Sequence, residues 1–416
     1  MEMFYSLYGR LLHAQALEAA YKQVARAKGA AGIDGQSLSD FAADLQSNLH
    51  ILLLELKGKT YQAQPVRRVE IPKEDGSMRL LGIPTVRDRI VQQALLTILQ
   101  PIFDKDFHPS SYGYRPKRSC HDAINKATLF IRQYGRRWVV DMDLSKCFDR
   151  LSHELILKGV KCKVTDGSVL KLIQQFLSSG VMEGNEVIPT IKGSPQGGVI
   201  SPLLSNIYLD AFDQEMKRRG HRIVRYADDI LVLCISRVGA EHALNIATTI
   251  LEDDLQLVVN KTKTHITHSD DGVKFLGVEI GTQYTRIQPK KLVNFKQRVK
   301  QLTKRNTGKP LIDIIKRLTP VLRGFAHYFK IANCKREFVS LMKWIRRRMR
   351  AIQLKLWKRP ARLHRRLRQL GFKGKCVFIK MASWRNANCP MATIAMKNSW
   401  FDEIGLYHID SELTGA

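Results

Sequence analysis

The chain has 416 residues, 44% of them apolar, enough to bury a substantial core and to form roughly two to four domains. With 68 Lys and Arg against 38 Asp and Glu, its formal charge is +30, which points to a polyanionic partner, either nucleic acid or an anionic membrane surface. The seven cysteines (120, 147, 162, 234, 334, 376 and 389) form no CxxC pair and show no regular spacing, arguing against a zinc site or a disulfide framework, and no apolar run approaches membrane-spanning length.

The charge is concentrated. Residues 290–375 hold 28 Lys and Arg against 2 Asp and Glu, a local charge of +26, and the rest of the chain carries only +4. A near-neutral body is therefore joined to a very basic module. The N-terminus shows no signal-peptide apolar segment, so a soluble, cytosolic protein is expected.

Residues 5–26 have a helical pattern, and the loop Lys28–Gly35 then places three glycines where backbone can approach a neighbour closely. Helical pattern resumes through about Leu56. Residues 67–73 and 78–84 bracket Glu74-Asp75-Gly76-Ser77 and read as a hairpin with Lys73 and Arg79 near its tip, either a solvated edge or a phosphate site. Residues 86–99 have helical spacing, Ser111–Pro116 is a loop, and Ser119 with Asp122 forms a capping-box pattern for a helix to about Ile131. These last segments read as structural.

From Trp138 an apolar strand runs into Asp141, Asp143 and Asp149, and strand alternation puts Asp141 and Asp143 on one face. Gly193-Ser194-Pro195-Gln196-Gly197-Gly198 opens a stiff, bare-backbone loop ahead of a helix, Leu203–Arg218. The stretch Ile223–Leu233 reads as a hairpin of apolar strands with Asp228 and Asp229 at the turn. Adjacent carboxylates repel, and a divalent cation such as Mg²⁺, which takes hard oxygen ligands, relieves that repulsion. A solvated acidic turn has the same local pattern, so the neighbouring segments decide. Residues 240–252 are helical, and 256–260 and 273–280 are strand-like. The basic module starts near Lys290 and contains helices over 311–332, around Pro320, and 336–358. In the second of these, Phe338, Leu341, Met342, Ile345, Met349, Ile352 and Leu356 make an apolar stripe, with Lys343, Arg346, Arg347, Arg348, Arg350 and Lys355 largely off it.

Taken in order, the blocks Ile71–Lys73, Arg79–Pro84, Ser111–Pro116, Asp141–Asp149, Gly193–Pro202, Tyr226–Asp229, Asn260–Thr264 and Phe275–Gly277 resemble those of the group II intron reverse transcriptases, in particular the short bacterial forms that lack an endonuclease domain. The likeness covers roughly residues 20–370. It implies an α+β right-hand polymerase. An N-terminal extension (1–65), with a template lid at Gly29–Gly35, precedes fingers and an antiparallel-sheet palm (66–289), the palm including strands 256–260 and 273–280. A basic helical thumb, or maturase domain (290–375), and a small DNA-binding tail (376–416) follow.

The resemblance assigns Asp143, Asp228 and Asp229 as the metal ligands, with Asp143 rather than Asp141 because the family places the catalytic aspartate five residues before the Phe-Asp pair's phenylalanine. Phe148 is implied to lie under the incoming sugar and exclude a 2′-OH, although Cys147 stands where some relatives carry a second aromatic. Gln196 is implied beside the nucleotide, Lys73 and Arg79 at the triphosphate, and Lys263 behind the catalytic hairpin. Two Mg²⁺ ions about 3.5–4 Å apart would clamp the attacking and leaving oxygens. The implied activity is RNA-directed DNA synthesis from dNTPs on an RNA template and a DNA primer, in the bacterial cytosol and near the nucleoid, coupled to splicing and mobility of an intron RNA. Without an endonuclease, pre-existing 3′ ends would serve as primers. A domesticated enzyme of DNA repair or phage defence, and a non-catalytic splicing cofactor, are the alternatives. The intact Asp143, Asp228 and Asp229 disfavour the second.

Overall fold

The computed structural model describes residues 2–72, 76, 78–184, 186–380 and 384–411. The chain divides into two compact units, Met1–Asp271 and Gly272–Ala416. Among the described residues, no helix is long and apolar enough to cross a membrane.

In the first unit, the helix Ala14–Arg26 buries Leu17, Ala20 and Val24, spaced three and four apart. It packs on the helices Leu45–Lys57 and Val86–Asp104. The helix expected from residue 5 is interrupted. The N–H groups of Leu7 and Tyr8 donate to Asp166 Oδ2, each at 2.8 Å, which docks a separate single turn, Tyr8–Leu11, ahead of the extended His13. The glycine loop is fastened to the start of the helix Val86–Asp104. Arg89 Nη2 donates to Ala30 O at 2.8 Å, and a Cβ on Gly32 would lie 2.6 Å from Thr85 Cα. The helix Cys120–Arg132 carries both halves of the expected capping box between Ser119 and Asp122.

Eight strands occur among the described residues of this unit: β1 (Val66–Pro72), β2 (Met78–Ile83), β3 (Trp138–Met142), β4 (Val181–Glu183), β5 (Glu186–Ile188), β6 (Arg222–Tyr226), β7 (Asp229–Cys234) and β8 (His265–His268). One sheet has the order β2-β1-β4-β5, with β1 and β2 antiparallel as the hairpin pattern predicts. The other, antiparallel throughout, has the order β6-β7-β3-β8. Its middle strands are buried on both faces: Val139, Val140 and Ile230–Leu233 have no exposed surface. Full burial of such a side chain contributes about 1.5–3 kcal/mol, so these two strands form a rigid base for whatever stands at their ends.

Two strand expectations are corrected. Residues 256–260 form only an isolated bridge, Leu144 with Val259. The Asn260 side chain accepts from Thr262 N and Thr262 Oγ1 and so reverses the chain, and the strand that pairs with β3 comes after that turn, as β8. Residues 273–280 are not part of the β3 sheet. They form a hairpin in the second unit, β9 (Val273–Phe275) and β10 (Val278–Ile280), extended by β11 (Thr285–Ile287). Leu276 and Gly277 both have positive φ, which gives the tight two-residue turn that joins such strands.

The second unit continues with the helices Pro289–Leu302, Leu311–Phe329, Lys335–Trp357 and Pro360–Gln369, then short helices at Pro390–Ala395 and Asn398–Glu403. Phe295 stacks on Phe325 at 3.9 Å between centroids, with Phe329 and Phe338 beside them. The apolar stripe of the helix Lys335–Trp357 is buried from Phe338 to Ile352. Two of the basic residues expected off that stripe are buried as well. Arg350 Nε donates to Met396 O at 3.0 Å and Nη2 to Asn398 Oδ1 at 3.1 Å, and Arg346 packs near His408. The reason is a second packing layer: the C-terminal segments cover a neighbouring face of the helix, and Arg350 satisfies the Met396 carbonyl there.

Candidate active site

The carboxylates gather at one end of the β6-β7-β3-β8 sheet. Met142 pairs with Ile230 and Tyr226 with Asp229, so continuing the β3–β7 register by one step sets Asp143 across from Asp229. Ala227 and Asp228 form the two-residue loop between β6 and β7. Asp141, paired with Leu231 and His265, lies on the same face one pleat back. Burial, followed by repulsion from Asp228, Asp141 and Asp143, pushes the Asp229 carboxyl up to about 7. The Asp229 residue has accessible surface, yet protein atoms crowd its carboxyl closely enough for desolvation to dominate. Burial, then the Asp143 charge, lifts Asp141 to about 6, against the pull of His265. Asp228 is raised by burial first and Asp143 next, with Arg79 and Arg225 opposing. Asp143 is oriented from one side, where Asn260 Nδ2 donates to its Oδ2 at 2.9 Å and Lys263 Nζ lies 3.7 Å from the same oxygen.

These residues fit a divalent cation. Burial and neighbouring carboxylates raise the proton affinity of Asp141, Asp228 and Asp229, and positive charge beside them relieves that. Among the described residues no group of three or more His, Cys, Asp or Glu side chains is placed so as to hold a metal ion by itself. An open set suits Mg²⁺, which is usually held by one or two carboxylates and completes its shell with waters and substrate phosphates.

Beside the carboxylates lies a pocket of about 270 Å³ whose lining includes Arg79, Tyr114, Phe148, Gln196 and Asp228. Phe148 is at its wall, whereas Cys147 is buried and its thiol is pushed up to about 12, by burial first and the Asp228 charge next. The Gln196 loop is stitched to both sides of the pocket. Gln196 O accepts from Gly82 N at 2.7 Å on β2, and Ser194 N donates to Phe148 O at 2.8 Å. Gly197, at φ +117, has no room for a side chain, since a Cβ would lie 2.4 Å from Gly82 O. The structure thus brings Arg79, Phe148, Gln196 and Asp228 together in one pocket. Asp143, Asp229 and Lys263 stand at the adjoining sheet end. Lys73 lies outside the described residues.

Two residues at the site escaped the sequence reading. Tyr114, in a loop read as structural, has φ +57, lines the pocket and packs edge-on against Phe148 at 6.4 Å. Arg225, which follows the buried Ile223 and Val224 in strand β6, is itself wholly buried against Asp213. Its signal was available, because a charge in an apolar stretch of strand demands a buried partner.

The reverse transcriptase (RNA-dependent DNA polymerase) family matches residues 71–280, and the group II intron, maturase-specific domain matches residues 292–371. Protein YkfC of Escherichia coli is 38% identical over 283 residues, covering 59% of this chain and 74% of that protein. Group II intron-encoded protein LtrA of Lactococcus lactis is 29% identical over 403 residues, covering 81% of this chain and 65% of LtrA. Among solved structures, telomerase from Candida albicans aligns with a TM-score of 0.44 and 15% identity, over 74% of this chain and 63% of that one. Members of the matched family generally use divalent metal ions. The chain belongs to the reverse transcriptases of the group II intron type, RNA-directed DNA polymerases with a right-hand α+β fold, and carries a maturase-specific domain after the polymerase region.

Proposed function

We propose that this chain extends a DNA primer on an RNA template, with Asp143, Asp228 and Asp229 as ligands of two Mg²⁺ ions, and that it assists splicing and mobility of a group II intron RNA. The observation that carries this reading is the meeting of the carboxylate cluster with a pocket lined by Arg79, Phe148 and Gln196. When bound, the ions neutralise charge on the triphosphate and make the primer 3′-OH more acidic. The protein's own groups do the rest. Arg79 supplies fixed positive charge for the phosphates, and Lys73 shares that role. Phe148 closes the space where a 2′-OH would sit. The Gln196 loop presents bare backbone to the nucleotide, held in place by its bond to Gly82. Asn260 and Lys263 fix the direction in which Asp143 points.

Residues 1–65 would serve as the extension carrying the template lid, 66–289 as fingers and palm, 290–375 as the basic thumb that follows the nucleic-acid backbone, and 376–416 as a DNA-contacting tail. The +26 charge of residues 290–375 supports nucleic acid as the partner of that module. The test is primer extension on RNA and DNA templates across a Mg²⁺ titration, joined to sequencing of RNA that co-purifies with the protein. Asp228→Asn and Asp229→Asn are expected to abolish synthesis and leave RNA affinity within about twofold. Near-normal extension by both variants would overturn the metal assignment.

A further inference from the structure

The geometry points to Arg225 as a positioning residue that sets the turn carrying Asp228 and Asp229. This rests on the reading of those two aspartates as metal ligands. Arg225 has no exposed surface, and neither does its partner Asp213 on the helix Ser201–Arg218. A buried ion pair is seldom better for stability than apolar side chains of the same volume, so packing alone does not explain its presence beside the buried Ile223 and Val224.

What an apolar pair cannot reproduce is the fork of hydrogen bonds. Arg225 Nε and Nη2 donate to Asp213 at 2.9 and 2.6 Å, which fixes the plane of the guanidinium. Nη1 then donates at 3.0 Å to Asn206 Oδ1 and at 3.0 Å to Ala227 O, the carbonyl of the turn residue before Asp228. Ala227 sits at φ +57, a conformation that L residues rarely adopt and that needs support from outside the turn.

Support comes from the other side as well. Arg225 N donates to Ser110 O and Tyr112 N to Arg225 O, each at 2.9 Å. Gly113 presses so close that a Cβ there would lie 2.3 Å from Ala227 N, and Asn206 Nδ2 holds Gly113 O at 2.9 Å. Asn206 therefore ties the two grips together, and the residue between them is the one that aims both aspartates.

The test replaces the pair by apolar residues of similar volume, in the full chain, as the double variant Asp213→Leu/Arg225→Met. The expected result is a melting temperature and RNA affinity near those of the unaltered protein, a dNTP KM within about threefold, a kcat lower by about 100-fold and a higher Mg²⁺ midpoint. A folded double variant with kcat and Mg²⁺ midpoint within about threefold of the starting protein overturns the proposal, since the pair would then be core and nothing more. Arg225→Lys keeps the buried charge without the planar fork and is expected to lose about tenfold in kcat with RNA affinity retained. If the double variant does not fold, Arg225→Lys decides: an unchanged kcat and Mg²⁺ midpoint overturns the role. Asp229→Asn separates this idea from the reading beneath it. An inactive Asp229→Asn beside a fully active Arg225→Lys removes only the positioning role, whereas an active Asp229→Asn removes the metal reading itself.

Discussion

The crowding of carboxylates at the sheet end has a thermodynamic cost that can be measured without any polymerase assay. Asp229 titrates near 7 in the folded chain, against an ordinary value of 3.8, with burial as the main cause and Asp228, Asp141 and Asp143 as the next. A raised carboxyl binds its proton more tightly in the folded state, so its contribution to stability is full below about pH 4 and is lost as pH rises through about 7. Between pH 5 and pH 8 the loss is about 3 kcal/mol for a fully shielded group, and solvent screening of this exposed residue reduces it to about 1 kcal/mol. For a unit of this size, about 1 kcal/mol moves the melting temperature by about 2–4 °C. Thermal unfolding in a chelator-containing, low-salt buffer should therefore show Asp229→Asn gaining that much on the unaltered protein at pH 8, and little at pH 5. Mg²⁺ should shrink the difference at pH 8 by stabilising only the chain that retains its carboxylates. If the two unfolding profiles stay parallel from pH 5 to pH 8, Asp229 is not under electrostatic pressure, and the argument from crowding to cation binding fails.

Other substitutions probe the same frame. Phe148→Ala should lower dNTP-over-rNTP selectivity by about 10- to 200-fold in single-nucleotide addition, and unchanged selectivity would remove the residue from the sugar wall. Gly113→Ala drives a methyl group into the backbone of Ala227, so kcat should fall by about 100-fold with RNA binding retained. Gly9→Ala, which meets nothing within 4 Å, is its neutral control. Arg350→Ala removes the bonds to Met396 O and Asn398 and should cost about 1–3 kcal/mol in denaturant unfolding. Lys343→Ala, on the exposed side of the same helix, should leave stability unchanged. Equal effects of these last two would refute the packed role of Arg350.

What sequence reasoning captured were features written in short-range pattern. The β6–β7 hairpin, the Ser119–Asp122 cap and the Phe338–Ile352 stripe each follow from spacing within about fifteen residues, and all three are present. It missed features set by a partner far along the chain. Strand β8 was displaced from residues 256–260 because the Asn260 side chain closes a turn and holds Asp143, and no local propensity encodes that. Arg346 and Arg350 lie off the apolar stripe, and their burial was not legible because a helical stripe predicts one buried side and cannot count the layers above it. β4 and β5 are three residues each, too short for alternation to register.

The misses nearest the site share a cause. Tyr114 and Ala227 take a left-handed backbone without being glycine, and Arg225 puts a charge in the buried stretch of β6 beside Ile223 and Val224. Each breaks a local rule, and each is tied to the others through Gly113 and Asn206. Residues that violate their own neighbourhood persist only when the surroundings over-determine them, and such strain collects where geometry must be held for function. Here the turn that carries Asp228 and Asp229 is held in that way, by Arg225 from one side and by Gly113 and Asn206 from the other.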